Sequence, residues 1–415
     1  MRFLIDSRSL GTAKTLLCDG GKLSWVSSDE PSDGLLRWRS AADTLARDDL
    51  RTAMLLSGHD VPWRFDKKYI NALRLTLPDF ESRDIPWHLI APAHVMSATI
   101  KSIVSGVKSC WTDIDTTFYN NVFSTQTTVF ESLVGPTISR KRIEKYLKED
   151  KNRSTFLSGF LPDEGDTLPK ITYHRVKTDS HCGTVTGRLT TATGPDFLTL
   201  NREYRNILKS RWDRGTVWYL DYSSLEPRTF QAHIGRKLPE NFYSDLAENT
   251  LGDRGRVADA KAMFLRRFYG SGVDSLLELG VSSREQVTKF VKHVDEDFGV
   301  REMSNRLVRE FSETGKIRNR YGRAVLVEKG APPHLLFNNW VQSSAVDAAL
   351  LGFAAITSAV KRSNLEIEPL CIIHDAIVID VHPRCQKYVE VLKSVGARVP
   401  GFENFEFEMH AERIT

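Results

Sequence analysis

The order of apolar and polar positions marks two strand regions. Val217-Trp218-Tyr219-Leu220 is short, aromatic and β-branched, and it ends on Asp221. Leu370-Cys371-Ile372-Ile373 and Ala376-Ile377-Val378-Ile379 are apolar runs separated by His374-Asp375, which predicts two strands joined by a tight turn carrying a polar pair. Between these regions the sequence reads mostly as helix, including Val257–Phe268 and Ser343–Val360. A charged helical stretch covers Ile138–Asp150, and a Gly/Asp/Pro-rich loop covers Gly159–Pro169. Residues 1 to about 115 mix short apolar runs with turn clusters such as Asp19-Gly20-Gly21. Neither a 20–50-residue repeat nor a low-complexity tract is visible in the sequence.

Asp221 and Asp375 both end apolar strands. A carboxylate there is held by a rigid element yet reachable at the sheet edge. On adjacent strands, two of them suit a pair of divalent cations about 3.5–4 Å apart, which stabilise the attacking and leaving oxygens of a phosphoryl displacement. Mg²⁺ fits that task because it takes few carboxylates and shares phosphate oxygens. One Asp alone would merely end a strand. A third segment adds weight: Lys261, Leu265 and Tyr269 recur at i, i+4 and i+8 and share one helix face, and Gly270 ends the helix. The line suits gripping a triphosphate, packing a sugar and stacking near a base, although an ordinary amphipathic helix has the same spacing.

The chain has 415 residues, 57 Lys and Arg against 53 Asp and Glu, and a net charge of +4. With 41% hydrophobic and 27% charged residues it is neither disordered nor fibrous in composition. The length exceeds the roughly 250–300 residues at which one core stops growing, so several subdomains are expected. Cys18, Cys110, Cys182, Cys371 and Cys385 form no CxxC pair, so reduced thiols are expected rather than disulfides or structural zinc. The N-terminus has no apolar signal core, and the most apolar window, Ala348–Val360, is shorter than the ~20 residues that span a bilayer. A cytoplasmic protein with no membrane partner is expected, bacterial, phage- or plasmid-encoded, with an organelle left open. Residues 136–236 hold 18 Lys and Arg against 12 Asp and Glu, a net +6, and a second basic run contains Lys316, Arg318, Arg320 and Arg323. Such runs are either solvated helix faces or nucleic-acid contacts.

These motifs together resemble the A-family, bacterial DNA polymerase I-like DNA polymerases. Asp221-Tyr-Ser-Ser-Leu-Glu226-Pro-Arg228 resembles motif A, Lys261 through Tyr269-Gly270 resembles motif B, and Ile373-His374-Asp375-Ala376 resembles motif C. Thr186-Gly187-Arg188-Leu189-Thr190-Thr191 resembles the segment before motif A, and Gly315–Arg323 the fingers segment ending in Gly-Arg. Asn338 and Gln342 resemble an Asn/Gln pair on a palm helix. The resemblance covers about residues 138–415 and follows family order.

The resemblance implies a mixed α/β right-hand fold: an antiparallel palm sheet, helical fingers and thumb, and a small N-terminal α/β domain. It divides the chain into an N-terminal domain at 1–115, thumb at 116–185, palm at 186–240, fingers at 241–342 and palm again at 343–415. It implies template-directed addition of dNTPs to a primer 3′-hydroxyl with two Mg²⁺ ions, Mn²⁺ able to substitute. Asp221, Asp375 and the Tyr222 carbonyl would hold metal. Lys261 would meet the triphosphate, Glu226 would exclude a 2′-hydroxyl, and Tyr269 would pack beside the sugar and templating base. Arg188 and Gln342 would read the minor groove, Asn338 would hold template or primer, and His374 would contact the primer terminus or hold its turn. Primer-template DNA and dNTPs are the implied partners, with a monomeric enzyme and an unspecified processivity partner.

The sequence departs from the family at several positions. Val257 stands where an Arg precedes the motif B Lys, leaving Arg254, which would share the Lys261 helix face, or Arg256 to bind phosphate. Leu265 replaces an aromatic, Ala376 replaces an acid, His334 stands where Arg is common, and Asp380 stands where a further acid often occurs. The Asn and Gln that usually follow the Thr-Gly-Arg segment are not evident near Asp196–Thr199. An active 3′–5′ proofreading domain would need Asp-x-Glu on a strand. Phe3-Leu4-Ile5-Asp6-Ser7-Arg8 supplies Arg where Glu is required, Gly58–Asp66 is only faintly similar to the second motif, and Asp79-Phe80-Glu81 follows Pro78 in a loop-like context. The expectation is a shrunken, inactive exonuclease remnant or an unrelated domain. Two alternatives compete: a single-subunit RNA polymerase, which Glu226 argues against, and a catalytically dead nucleic-acid-binding fold, which retention of Asp221, Lys261, Tyr269 and Asp375 argues against.

Overall fold

The computed structural model describes residues 2–5, 14–27, 35–38, 49–59, 75, 92–149, 154–178 and 183–415. Asp6, Arg8, residues 60–66 and Asp79-Phe80-Glu81, the candidate exonuclease positions, lie outside the described residues. The chain divides into two units, Met1–Asn120 with Thr178–His181, and Asn121–Lys177 with Cys182–Thr415.

In the first unit, β1 (Arg2–Ile5) pairs antiparallel with β2 (Lys14–Asp19) and parallel with β4 (Leu36–Trp38). The antiparallel partner of β2 on its other side is β3 (Lys22–Ser27), giving the order β3-β2-β1-β4. Asp19 pairs with Lys22 across Gly20-Gly21, the two-residue hairpin that an Asp-Gly-Gly sequence encodes. Helices α1 (Asp49–Leu56) and α2 (Ala93–Ser109) contribute Leu50, Met54, Ile103 and Val107 to one core with Phe3, Ile5 and Trp38 of the sheet. This is the small N-terminal α/β domain.

The second unit is built on a four-stranded antiparallel sheet ordered β10-β11-β7-β12. Its central strand, β7 (Thr216–Tyr222), contains the predicted Val217–Leu220 run. The strand precedes two short ribbon strands, β8 (Ile317–Arg318) and β9 (Ala324–Val325), and follows the ribbon of β5 (Thr172–His174) and β6 (Thr190–Thr193). The hairpin β10 (Ile367–Ile373) and β11 (Ala376–Val381) lies beside β7, with β12 (Met409–Arg413) on the other flank. Every residue of β11 is buried, which explains a continuous apolar run where a half-exposed strand would alternate. Asp380 is the exception in chemistry: it accepts the Arg211 N–H at 2.9 Å and lies 3.6 Å from Arg211 Nε, so it is a structural acid.

The helices of this unit include α3 (Ser124–Ser132), the basic α4 (Arg140–Glu149), α5 (Leu225–His233), α6 (Phe242–Leu251), α7 (Val257–Phe268), α8 (Val300–Thr314) and α9 (Pro333–Arg362). The last begins ten residues before the predicted Ser343, because Pro333 supplies a preformed first turn and the polar positions that follow do not interrupt the helix. At 30 residues it is long and apolar enough to cross a membrane, unlike the 13-residue window read from sequence, but 78% of its apolar window is buried inside the protein. It is a core helix. Leu336, Phe337, Trp340 and Val341 enter one core, and Ala345 onward enters the core of the sheet.

The first of these cores is a cluster of phenyl rings. Phe264 and Phe268, one turn apart on α7, stack at 5.3 Å. Phe268 also meets Phe337 of α9 edge-on at 5.1 Å, and Phe230 of α5 meets Phe337 at 5.2 Å. Such contacts add ~0.5–1.5 kcal/mol per pair beyond burial. With Ala260, Met263, Phe264 and Phe268 facing inward, α7 leaves Lys261 exposed.

Within the core a polar network ties α3 and the β8–β9 ribbon to α9. Asp347 is fully buried; its Oδ1 accepts from Arg323 Nη2 at 2.7 Å and Gln126 Nε2 at 2.9 Å, and its Oδ2 from Arg323 Nε at 2.9 Å and Asn319 Nδ2 at 2.7 Å. Arg323 therefore leaves the basic run: only 3% exposed, it faces Asp347 rather than solvent or nucleic acid. Removing one partner of such a pair strands a buried charge. Asp347→Ala should destabilise the protein by about 3–5 kcal/mol in chemical denaturation, while Asp347→Leu combined with Arg323→Met should recover most of that loss. Equal stability of the single and double variants would contradict this account.

Candidate active site

The β7–β11 ladder brings the two motif carboxylates together. Ala376 pairs with Asp221, and the Tyr222 N–H donates to the Asp375 carbonyl at 3.3 Å. Asp375 occupies the second position of the two-residue loop between Ile373 and Ala376. His374 occupies the first, exposed and with φ of +56°, a left-handed conformation uncommon for a residue with a side chain. It lies at the turn, as the motif implies.

Burial first, then the charge of Asp375, push the Asp221 carboxyl up to about 7. Burial likewise raises Asp375. The guanidinium groups of Arg205 and Arg202 oppose the shift at Asp221. Arg205 lies 4.6 Å over the Tyr219 ring, two residues before Asp221. Asp221 Oδ1 is buried and has no hydrogen-bond partner among the described residues. Two crowded carboxylates with an orphaned buried oxygen fit a divalent cation. Asp221, Asp375 and the Tyr222 carbonyl would hold it. The Tyr222 ring is committed to the core, its hydroxyl donating to the Gly396 carbonyl at 2.6 Å. Among the described residues no group of three or more His, Cys, Asp and Glu forms a cation site, so water and phosphate oxygens would complete the shell, as Mg²⁺ prefers. Ala376 is buried beside Asp221 and supplies no third carboxylate.

Motif A continues into α5. Ser224 caps the helix in the left-handed region, and Glu226 falls in its first turn. Arg228 anchors the turn, donating from Nε to the Ser223 carbonyl at 2.9 Å and from Nη1 to the Leu238 carbonyl at 3.1 Å, and pairing with Glu408. Glu226 is mostly buried, which raises its carboxyl above the usual range, and it accepts from Arg188 Nη2 at 2.7 Å. The sequence places these two residues in separate roles; the structure joins them.

On α7, Lys261 Nζ stands 5.5 Å from the Tyr243 ring centroid and Leu265 is half-buried. Tyr269 caps the helix, and its carbonyl accepts from Asn338 Nδ2 at 2.9 Å. Asn338 Oδ1 is buried without a partner among the described residues, and Gln342 follows one turn later on the same face of α9. Gly270 has φ of +98°, and a Cβ there would lie 2.4 Å from His334 Cβ, so only glycine ends this helix without collision. Among the described residues no hydrogen bond or ion pair joins Lys261 or Tyr269 to either carboxylate; the shared packing of Phe230, Phe268 and Phe337 sets α7 against α5 instead.

Arg254 does not share the Lys261 helix face. The helix begins at Val257, and Arg254 lies in the preceding turn, paired with Asp245 at 2.7 Å and Glu248 at 3.7 Å. Arg256 is the N-cap, held by Asp259 and the Val281 carbonyl. The helix does not extend further back because the Gly255 N–H donates to Asp253 Oδ1 at 2.8 Å in a turn there.

Sequence reasoning missed Arg202 and Arg205 beside Asp221, whose i, i+3 spacing on one short helical turn was the available signal. It also missed Asp347, a lone acid in the apolar run Ala345–Leu351.

No protein-family model matches the chain, and no curated protein matches it. Among solved structures the chain is similar to the POL domain of Pol1 from M. smegmatis, in complex with DNA primer-template and dNTP. The TM-score is 0.65 at 14% identity, covering 97% of this chain and 92% of that one. The chain thus has the fold of a bacterial DNA polymerase I polymerase domain.

Because Asp221 holds its proton more tightly folded than unfolded, the native state binds more protons between the unfolded 3.8 and about 7, and metal-free stability falls as pH rises through that window. A divalent cation binds the deprotonated pair. Mg²⁺ should therefore raise the melting temperature at pH 8 and much less at pH 5.5, with most of the increment lost in Asp375→Asn. An increment that ignores pH or survives the substitution would place the cation elsewhere.

Proposed function

We propose that the protein is a template-directed DNA polymerase of the A-family type, extending a primer 3′-hydroxyl with dNTPs. The observation that carries this reading is the juxtaposition of Asp221 and Asp375 across β7 and β11, with a buried carboxylate oxygen that has no partner among the described residues. The fold shared with the POL domain of Pol1 supports it.

Two Mg²⁺ ions, when bound, would lower the pKa of the attacking hydroxyl and offset charge developing on the leaving group. Asp221 and Asp375 would fix them because one lies on a central strand and the other in the tight turn beside it. Lys261, exposed on α7, would meet the triphosphate and balance its charge. Arg254, more exposed than Arg256, is the better placed of the two to exchange its carboxylate partners for phosphate. Glu226 would crowd the sugar 2′ position, and Tyr269 at the end of α7 would pack near the templating base. Asn338 would hold the Tyr269 carbonyl in place as well as meeting template or primer. Arg188, Gln342 and His374 would contact the primer-template. Positioning and charge account for the rate, since phosphoryl transfer asks little covalent chemistry of the protein.

In a primer-extension assay with Mg²⁺, wild-type protein should add dNTPs, and Asp375→Asn should lower the rate by at least about a hundredfold, as loss of a group acting only in the transition state does. NTPs should be used poorly. Absence of dNTP extension would refute the reading, and equal use of NTPs would favour the RNA polymerase alternative.

Proofreading is absent in this proposal, because Arg8 stands where a metal-binding Glu is required. A mismatched primer should remain undegraded in the absence of dNTPs; degradation abolished by Asp6→Ala would reverse that conclusion.

A further inference from the structure

We infer that Arg188 determines sugar specificity by holding Glu226 in place. The inference rests on the polymerase reading above and assigns Arg188 a task beyond DNA contact. Its Nη2 donates to Glu226 Oε1 at 2.7 Å. Arg188 is about half exposed, at 54%, whereas Glu226 is 15% exposed. The carboxylate is therefore nearly withdrawn from water, and Arg188 is its single ion-pair partner among the described residues.

Both ends of this contact are set on rigid supports. Arg188 follows Gly187, whose φ is +79° and whose missing Cβ would fall 2.9 Å from Arg323 Nη1. Arg323 is pinned by Asp347, so the loop is pressed against a buried, immobile guanidinium. Thr184 Oγ1 also donates to the Arg188 carbonyl at 3.0 Å. On the other side, α5 is fastened by Arg228 through Ser223, Leu238 and Glu408.

A steric gate discriminates only if it cannot move aside. With Arg188 present, rotating Glu226 away from the sugar breaks a charge-assisted hydrogen bond in a poorly hydrated place. Without Arg188, the carboxylate loses that bond and can swing aside from the sugar, which admits a ribonucleotide. The single Nη2 contact is one that a lysine can reproduce in charge.

The test is the ratio of kcat/KM for a dNTP to that for the matching NTP on one primer-template. It is measured for wild type, Arg188→Ala, Arg188→Lys, Glu226→Ala and the Arg188→Ala/Glu226→Ala double variant. Arg188→Ala should lower the ratio about tenfold, corresponding to one charge-assisted hydrogen bond. Arg188→Lys should restore most of it, and the double variant should match Glu226→Ala alone. A wild-type ratio in Arg188→Ala, even with weakened extension, overturns the inference, as does an additive loss in the double variant. Wild-type protein that extends no primer overturns the polymerase reading and this inference with it; an active wild type with an unchanged ratio in Arg188→Ala overturns this inference alone.

Discussion

The pairing of β7 with β11 forces two carboxylates, Asp221 and Asp375, into one partly buried place at the end of the central strands of a rigid sheet. Neither would choose that position for stability. Burial raises both carboxyls, the charge of Asp375 raises Asp221 further, and among the described residues one oxygen of Asp221 finds no donor. The remainder of the second unit makes the arrangement tolerable. A strand buried throughout, β11, holds the register, and a slip by one residue would turn Asp221 away from the site. The crowding is the kind of local cost that functional sites retain.

Two supports carry the site outward from the sheet. The Phe230, Phe264, Phe268 and Phe337 cluster fixes α7 against α5 and α9, so the inward face of α7 is aromatic and its other face bears Lys261. The Asp347–Arg323 network joins α3, the β8–β9 ribbon and α9, and Arg323 in turn presses on Gly187. Arg188 and Glu226 are thus positioned by residues buried elsewhere in the core. Removing the buried pair would be felt at Glu226 through the backbone of one glycine.

Much of the architecture was legible in the sequence because it is local. The strand at Val217–Leu220, the hairpin around His374-Asp375 and the helix at Val257–Phe268 follow from period, length and turn chemistry. The failures occurred where local signals are silent. Arg254 was placed on a helix that begins three residues later, since a Gly-containing turn interrupts the pattern. Arg323 looked like one more exposed cation, and its partner lies 24 positions along the chain. Asp347 stands alone among apolar neighbours, and nothing local in the sequence names the cation that pairs with it.

The residue types and spacings alone determined that Asp221 lies near the end of a strand, that Asp375 sits in a tight turn, and that Lys261, Leu265 and Tyr269 follow one helical line. Those are consequences of backbone geometry within a few residues. Only the tertiary structure decided that the two carboxylates share one site, that Arg188 grips Glu226 across 38 positions, and that Arg323 is interior. Strand pairing and burial bring distant groups into contact, and the energies that matter there, desolvation and charge proximity, do not exist until the chain has folded.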